Sequence, residues 1–171
     1  MQTKKFSIFI TLSLIFALIC GTTIIGIAAI NDNTEEKEGD NSIFRWADAF
    51  EGGLESYSST SVYVSEDEEE EGVFWILSSA STTFHSLWAD QNISGGYYYG
   101  VDAGDGSVGG DGSFRGGIHI HVSPEPVLRS LNLPEGEEPD LHAAIDSISA
   151  WSDIYGTLDG EDFEAYSHIP F

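Results

Sequence analysis

The sequence predicts an α+β fold: an antiparallel β-rich ectodomain (meander, sandwich or partial barrel), capped by two C-terminal helices and carried on a single N-terminal transmembrane helix. Three observations point there. No charge occurs from Phe6 to Ile30. From Leu54 to Val122, short aromatic and β-branched segments alternate with Gly, Asn and Asp turns. After Ser123 the apolar residues fall at helical spacing instead.

Residues 1–30 are the anchor. The run "FSIFITLSLIFALICGTTIIGIAAI" exceeds the roughly 20 apolar residues that cross a bilayer core. Lys4 and Lys5 precede it, whereas Asp32, Glu35, Glu36, Glu38 and Asp40 follow. The positive-inside rule then puts the N-terminus in the cytoplasm and the C-terminal domain outside. Gly26-Ile27-Ala28 offers a signal-cleavage site, so a cleaved, secreted form is the alternative. Cys20, the single cysteine, lies within the run and reads as a lipid- or helix-facing thiol. The exported part can therefore hold neither an intrachain disulfide nor a cysteine-based zinc site.

Residues 31–42, "NDNTEEKEGDNS", contain no apolar side chain and read as an acidic flexible stalk. The extracytoplasmic domain spans 43–171. It opens with "IFRWADAF", where Ile43, Phe44, Trp46, Ala47 and Phe50 suit a short amphipathic helix ended by Gly52-Gly53. Strand-like segments follow: "LESYSSTSVYVS", then "VFWILSSA" and "TTFHSLWA" beyond the acidic Glu66–Gly72 connection, then "YYYGVDA" and Gly116 to Val122. Ser123-Pro124-Glu125 has the cap, first-position proline and acidic first turn of a helix, running through "PEPVLRSLN". A second helix begins near Pro139, with Leu141, Ile145, Ile148, Trp151 and Tyr155 as its apolar stripe and Gly156 closing it.

Charge narrows the partners. The chain carries −23, and all 29 acidic residues lie after Ile30 with only Lys37, Arg45, Arg115 and Arg129 among them. Phosphate backbones need clustered Lys and Arg, so nucleic acid is excluded. Membrane contact is expected through residues 6–30; the domain itself suits cations, basic partners or other surface and membrane proteins, or a salty milieu.

The motif richest in chemistry is "GGIHIHVSP". Strand alternation puts Ile118, Ile120 and Val122 on one face and His119 and His121 on the other, roughly 6.5–7 Å apart at Cα. Such a pair can share a zinc or copper ion if a third ligand joins, with His85 and His142 the candidates and His168 more distant. The alternative is an ordinary polar strand face. The segment "GIHIH" is similar to the H-x-H strand of copper/zinc superoxide dismutases and related β-sandwich domains. That likeness covers these five residues alone, lacks the disulfide and the full downstream histidine set, and does not place the chain in that family.

Gly100 to Gly117 holds eight glycines with Asp102, Asp105 and Asp111. Carboxylates on a sharply turning loop suit calcium, although the spacing matches neither an EF-hand loop nor a β-roll repeat. A flexible interstrand connection is the other reading. No nucleophile elbow occurs, and carboxylates are too numerous for sequence proximity to define a glycosidase pair. "VFW" and "YYY" suggest a sugar-stacking platform, less the alternate members that must enter the core. Asn92-Ile93-Ser94 is a glycosylation sequon on a turn. The leading expectation is a membrane-anchored, non-enzymatic binding or envelope-assembly domain. A metal-dependent enzyme or metal-binding protein built on the H-x-H strand, and an accessory subunit of a larger membrane complex, are the alternatives.

Overall fold

A computed structural model describes residues 34–87 and 93–170. The strands are β1 (Glu35–Gly39), β2 (Ser42–Glu51), β3 (Leu54–Glu66), β4 (Val73–Ser86), β5 (Ser94–Asp102), β6 (Ser107–Arg115), β7 (His119–Val122), β8 (Val127–Asn132), β9 (Ser149–Leu158) and β10 (Glu161–Ile169). One helix, α1 (Leu141–Ile145), interrupts them. Every pairing is antiparallel. One sheet runs β1-β2-β3-β4, with β7 and β8 both on the far edge of β4; the other runs β10-β9-β5-β6. The two face each other as a sandwich, with β9 and β10 against β2, β3 and β4.

The α+β expectation with two C-terminal helices is therefore corrected to an antiparallel β fold with one five-residue helix among the described residues. Each error has a physical source. Ile43, Trp46, Ala47 and Phe50 do fall at helical spacing, but the segment is β2. Its Ile43, Ala47 and Ala49 are buried, and the intervening Phe44 and Trp46 stack on the outer face with ring centroids 5.4 Å apart. A strand apolar on both faces matches either period, and ten paired positions with β3 decide the outcome. Gly52 and Gly53 close that hairpin with φ of 53° and 81°, a left-handed conformation open to glycine. The segment read as a flexible stalk contains β1, paired residue for residue with β2 although every side chain on it is exposed. Arg45 fastens it by binding Glu36, and its other arm reaches Asp146 beyond α1 at 2.6 Å.

The first expected C-terminal helix is β8. Val122 pairs with Thr82 and Val127 with Ser78, so four residues, Ser123 to Pro126, lie opposite three on β4. This one-residue bulge reverses the alternation: Ile120 and Val122 face inward before it, and Val127 and Leu131 after it. The second expected helix stops after α1. Asp140 caps it by accepting from the Ala143 N–H at 3.0 Å, and Ile145 and Ile148 enter the core. Trp151 and Tyr155 are then carried by β9, with Gly156 within that strand. Among the described residues no helix is long and apolar enough to cross a membrane. The run Phe6–Ile30, together with Cys20, lies outside the described residues, as does Asn92.

The core is apolar at both ends and hydroxyl-rich between. Phe84, Leu54, Ile93 and Ile154 form one cluster, with Phe84 tilted against Tyr97 at 5.0 Å. Ile43, Val62, Ile145 and Ile148 form another. Along β3 the inward positions between Leu54 and Val62 are Ser56, Ser58 and Thr60. Ser56 Oγ lies 2.7 Å from both Ser152 Oγ and Ser167 Oγ, and Ser58 Oγ 2.7 Å from Ser167 Oγ. Thr82 donates to Ser152 Oγ at 2.6 Å, completing a buried network that links β3 and β4 to β9 and β10. Buried hydroxyls without partners would cost roughly 1–3 kcal/mol each; the network removes that cost for these serines and Thr82, whereas Thr60 Oγ1 is covered without a partner.

Candidate functional site

The histidines of the H-x-H strand lie where alternation puts them: His119 and His121 are exposed on the outer face of the first sheet, with Ile120 and Val122 turned in. Register brings one expected partner to them. His85 is the Cα partner of His119, their rings 5.7 Å apart, and its Nε2 lies 3.1 Å from Glu55 on β3. The hydrogen bond from His85 holds the Glu55 carboxyl below its ordinary value, against the opposing effect of burial. His121 turns its Nδ1 to Thr83 Oγ1 at 2.7 Å. His142 is elsewhere, on α1 and 3.9 Å from Glu38, and His168 is on the other sheet. The calcium candidates also scatter. Asp102 accepts from Gly104 N–H in the β5–β6 turn, Asp105 binds Arg129, and Asp111 lies mid-strand on β6 opposite Tyr98. Among the described residues no group of three or more His, Cys, Asp or Glu is arranged to hold a metal, so neither the zinc or copper site nor the calcium site finds support.

The Gly100–Gly117 stretch is not a flexible connection but the end of β5, a tight turn and all of β6. Its glycines accept aromatic rings. On the inner face, Tyr97 and Tyr99 lie across Gly112 and Gly110, where an added Cβ would meet the phenol oxygens at 2.3 and 2.7 Å. On the outer face, Trp151 and Tyr155 lie across Gly100 and Gly96, with corresponding approaches of 2.5 and 2.3 Å. Large rings thus lie flat over bare backbone instead of standing away from the sheet.

The outer face of this sheet carries a cluster of aromatic and ionisable side chains. β9 contributes Trp151, Asp153 and Tyr155; β10 contributes Glu164, Tyr166 and His168; β5 contributes Tyr98. Tyr98 stacks on Tyr155 with centroids 5.9 Å apart, and Tyr166 leans on His168 at 5.8 Å. Tyr98, Trp151, Asp153, Tyr166 and His168 line a shallow concavity of about 340 Å³. Asp153 sits in register between Tyr98 and Tyr166. The carboxylate is half-buried, and its Oδ1 is fully covered without a hydrogen-bond partner. Burial first, and the neighbouring Glu164 charge second, push its pKa up to about 6. The Tyr155 phenol is held above its ordinary value, chiefly by its hydrogen bond with Tyr98 and further by desolvation and the nearby carboxylates. Rings around a half-buried carboxylate can stack on a flat or cationic group while the carboxylate supplies a counter-charge.

Sequence reasoning put Tyr98 in a ring platform, within "YYY", whose other two members pack on Phe84; His168 entered only as a distant metal candidate, and Trp151 and Tyr155 only as a helix stripe. The missed signal was period two: Trp151, Asp153 and Tyr155 alternate with Ala150, Ser152 and Ile154, and Tyr166 and His168 with Ala165, Ser167 and Ile169. Comparison with known proteins gives no matching family, curated protein or solved structure, so the likeness of Gly117–His121 to superoxide dismutases goes no further than those five residues.

Proposed function

We propose that the chain is a membrane-anchored, extracytoplasmic, non-enzymatic binding domain whose recognition surface is the outer face of the β10-β9-β5-β6 sheet. The observation that carries this reading is the concavity formed by Tyr98, Trp151, Tyr166 and His168 around the unpartnered Asp153 Oδ1. Sandwich domains bury one face of each sheet, and surface aromatics cost solvation unless something covers them. A row of rings laid flat on glycine backbone makes a preformed surface that needs little ordering when a ligand docks. The uncharged run Phe6–Ile30 behind Lys4 and Lys5 supports an anchor with the domain outside.

The test uses the full chain in polyoxyethylene-detergent micelles. The Trp151 indole N–H resonance, assigned with a Trp151→Phe variant, is followed during titration with glucose, N-acetylglucosamine, choline and N-methylguanidinium. At least one probe should shift it saturably, and Tyr98→Leu should weaken that binding. No saturable shift from any probe overturns the reading. Protease added to intact cells should remove the domain, and complete protection would refute the external location.

A further inference from the structure

We propose that the group recognised on this face is an organic cation, an ammonium or guanidinium, held over the Tyr98, Trp151 and Tyr166 rings with Asp153 as its counter-charge. The inference rests on the binding-surface reading above and names the ligand class for it. Its first support is a half-buried carboxylate that the fold leaves without a counter-charge among the described residues. Asp153 Oδ1 is covered and unpaired, and a covered carboxylate oxygen that lacks a donor is costly to the fold.

The second support is the local charge. Around Asp153 the same face carries Glu164 on β10 and Asp111 on β6, the latter in register through Tyr98. Arg115 is on this face too, but at the opposite end of the sheet, paired in register with Ser94 and in line with Thr157 and Asp162. Arg45 and Arg129 are engaged by Glu36, Asp146 and Asp105, and Lys37 is on β1 of the other sheet. Among the described residues, the concavity therefore presents negative charge to solvent with no neighbouring Lys or Arg to neutralise it.

The third support is the rings. An aromatic face is the negative end of its quadrupole and attracts a cation lying on it, most strongly for indole. An anion would meet three carboxylates here, and a neutral polyol would leave Asp153 without a counter-charge. An ammonium or guanidinium satisfies both the faces and the carboxylate at once. Asp153 faces Tyr98, Tyr166, Glu164 and His168, with Asp111 and Tyr155 beyond, and its own ionisation is the one with a midpoint raised to about 6. Cation affinity should accordingly fall as pH is lowered through that value.

The experiment compares choline with its uncharged isostere 3,3-dimethyl-1-butanol, and N-methylguanidinium with glucose, on the full chain in polyoxyethylene-detergent micelles. Each is titrated against the Trp151 indole resonance in the parent, in Asp153→Asn and in Glu164→Gln. One of the two cations should bind at least tenfold more tightly than its uncharged comparator. Asp153→Asn should abolish most of that preference, with binding of the neutral probe unchanged, and Glu164→Gln should reduce it in part. Equal affinity within both pairs, choline with dimethylbutanol and N-methylguanidinium with glucose, or a preference that survives Asp153→Asn, overturns the cation while leaving the surface reading intact. Silence of the resonance towards all four probes overturns both.

Discussion

The Asp153→Asn substitution has a consequence for stability that can be worked from the structure before any ligand is known. Asp153 is an acid whose folded-state pKa, about 6, exceeds its ordinary value of 3.8. The folded protein thus holds this proton more tightly than the unfolded chain does. Well below pH 3.8 the side chain is protonated in both states and costs nothing. As pH rises from about 4 to about 6 the unfolded chain ionises first, so the contribution of this group to stability falls, and above 6 the full cost is present. A shift of roughly two pH units corresponds to about 3 kcal/mol at most, at 1.36 kcal/mol per unit. The side chain is only half-buried, and solvent screening reduces the expected effect to about 1–2 kcal/mol. Asparagine keeps the shape and removes the charge. Relative to the parent, Asp153→Asn should gain about 1–2 kcal/mol between pH 4 and pH 8, with the change centred near pH 5. Urea unfolding followed by far-ultraviolet circular dichroism at five pH values measures it. Because Glu164 contributes to the shift, Glu164→Gln in the parent should move the midpoint downward. A stability difference between parent and Asp153→Asn that is constant from pH 4 to pH 8 would refute the reasoning.

Phe84→Ala should cost about 3–5 kcal/mol by urea unfolding, because Phe84 is fully buried between Leu54, Ile154 and the Tyr97 and Tyr99 rings; a loss under about 1 kcal/mol would mean the site collapses freely. Ser167→Ala should cost about 1–3 kcal/mol, since Ser167 Oγ lies 2.7 Å from both Ser56 Oγ and Ser58 Oγ, and a neutral result would show that the network re-forms without it. Added NaCl should raise the melting midpoint from low salt to molar salt, because a chain with net charge −23 repels itself until ions screen it; a flat response would place the repulsion on mobile segments only.

The β-rich character and the segments of β3, β4, β5 and β7 were legible because turn chemistry and aromatic segments mark strands directly. Strand β3 and the opposed faces of Ile120 and His121 are where alternation predicts them. Two kinds of information were not local. Parity breaks at the Ser123–Pro126 bulge, so Ile120, Val122, Val127 and Leu131 never form one period-two series, and Ser-Pro-Glu reads as a helix cap in isolation. Glu35–Gly39 has no apolar face, and only backbone pairing with β2 and the Arg45 contact make it a strand. The ring platform suffered from the same cause. Trp151 and Tyr155 are four residues apart, a spacing that serves one face of a helix and one face of a strand equally. Gly96 and Gly100, which receive those rings, come from a distant segment whose glycines suggest mobility when read alone.

The four sheet edges have a bearing on how copies of this chain behave together. A protein crowded on a surface meets its own exposed strands at high local concentration, and a smooth edge would recruit another copy by continuing the sheet. Here β1 presents Glu35, Glu36 and Glu38, and β10 presents Glu161, Asp162 and Glu164, so like edges meet as like charges. The β7–β8 edge is broken midway by Pro124 and Pro126, neither of which can donate to an incoming strand. On β6, Asp111 and the glycines at 109, 110 and 112 leave little side chain for a neighbour to pack on. Each sheet ends in a border that discourages its own continuation, and dense packing of this domain need not seed fibres.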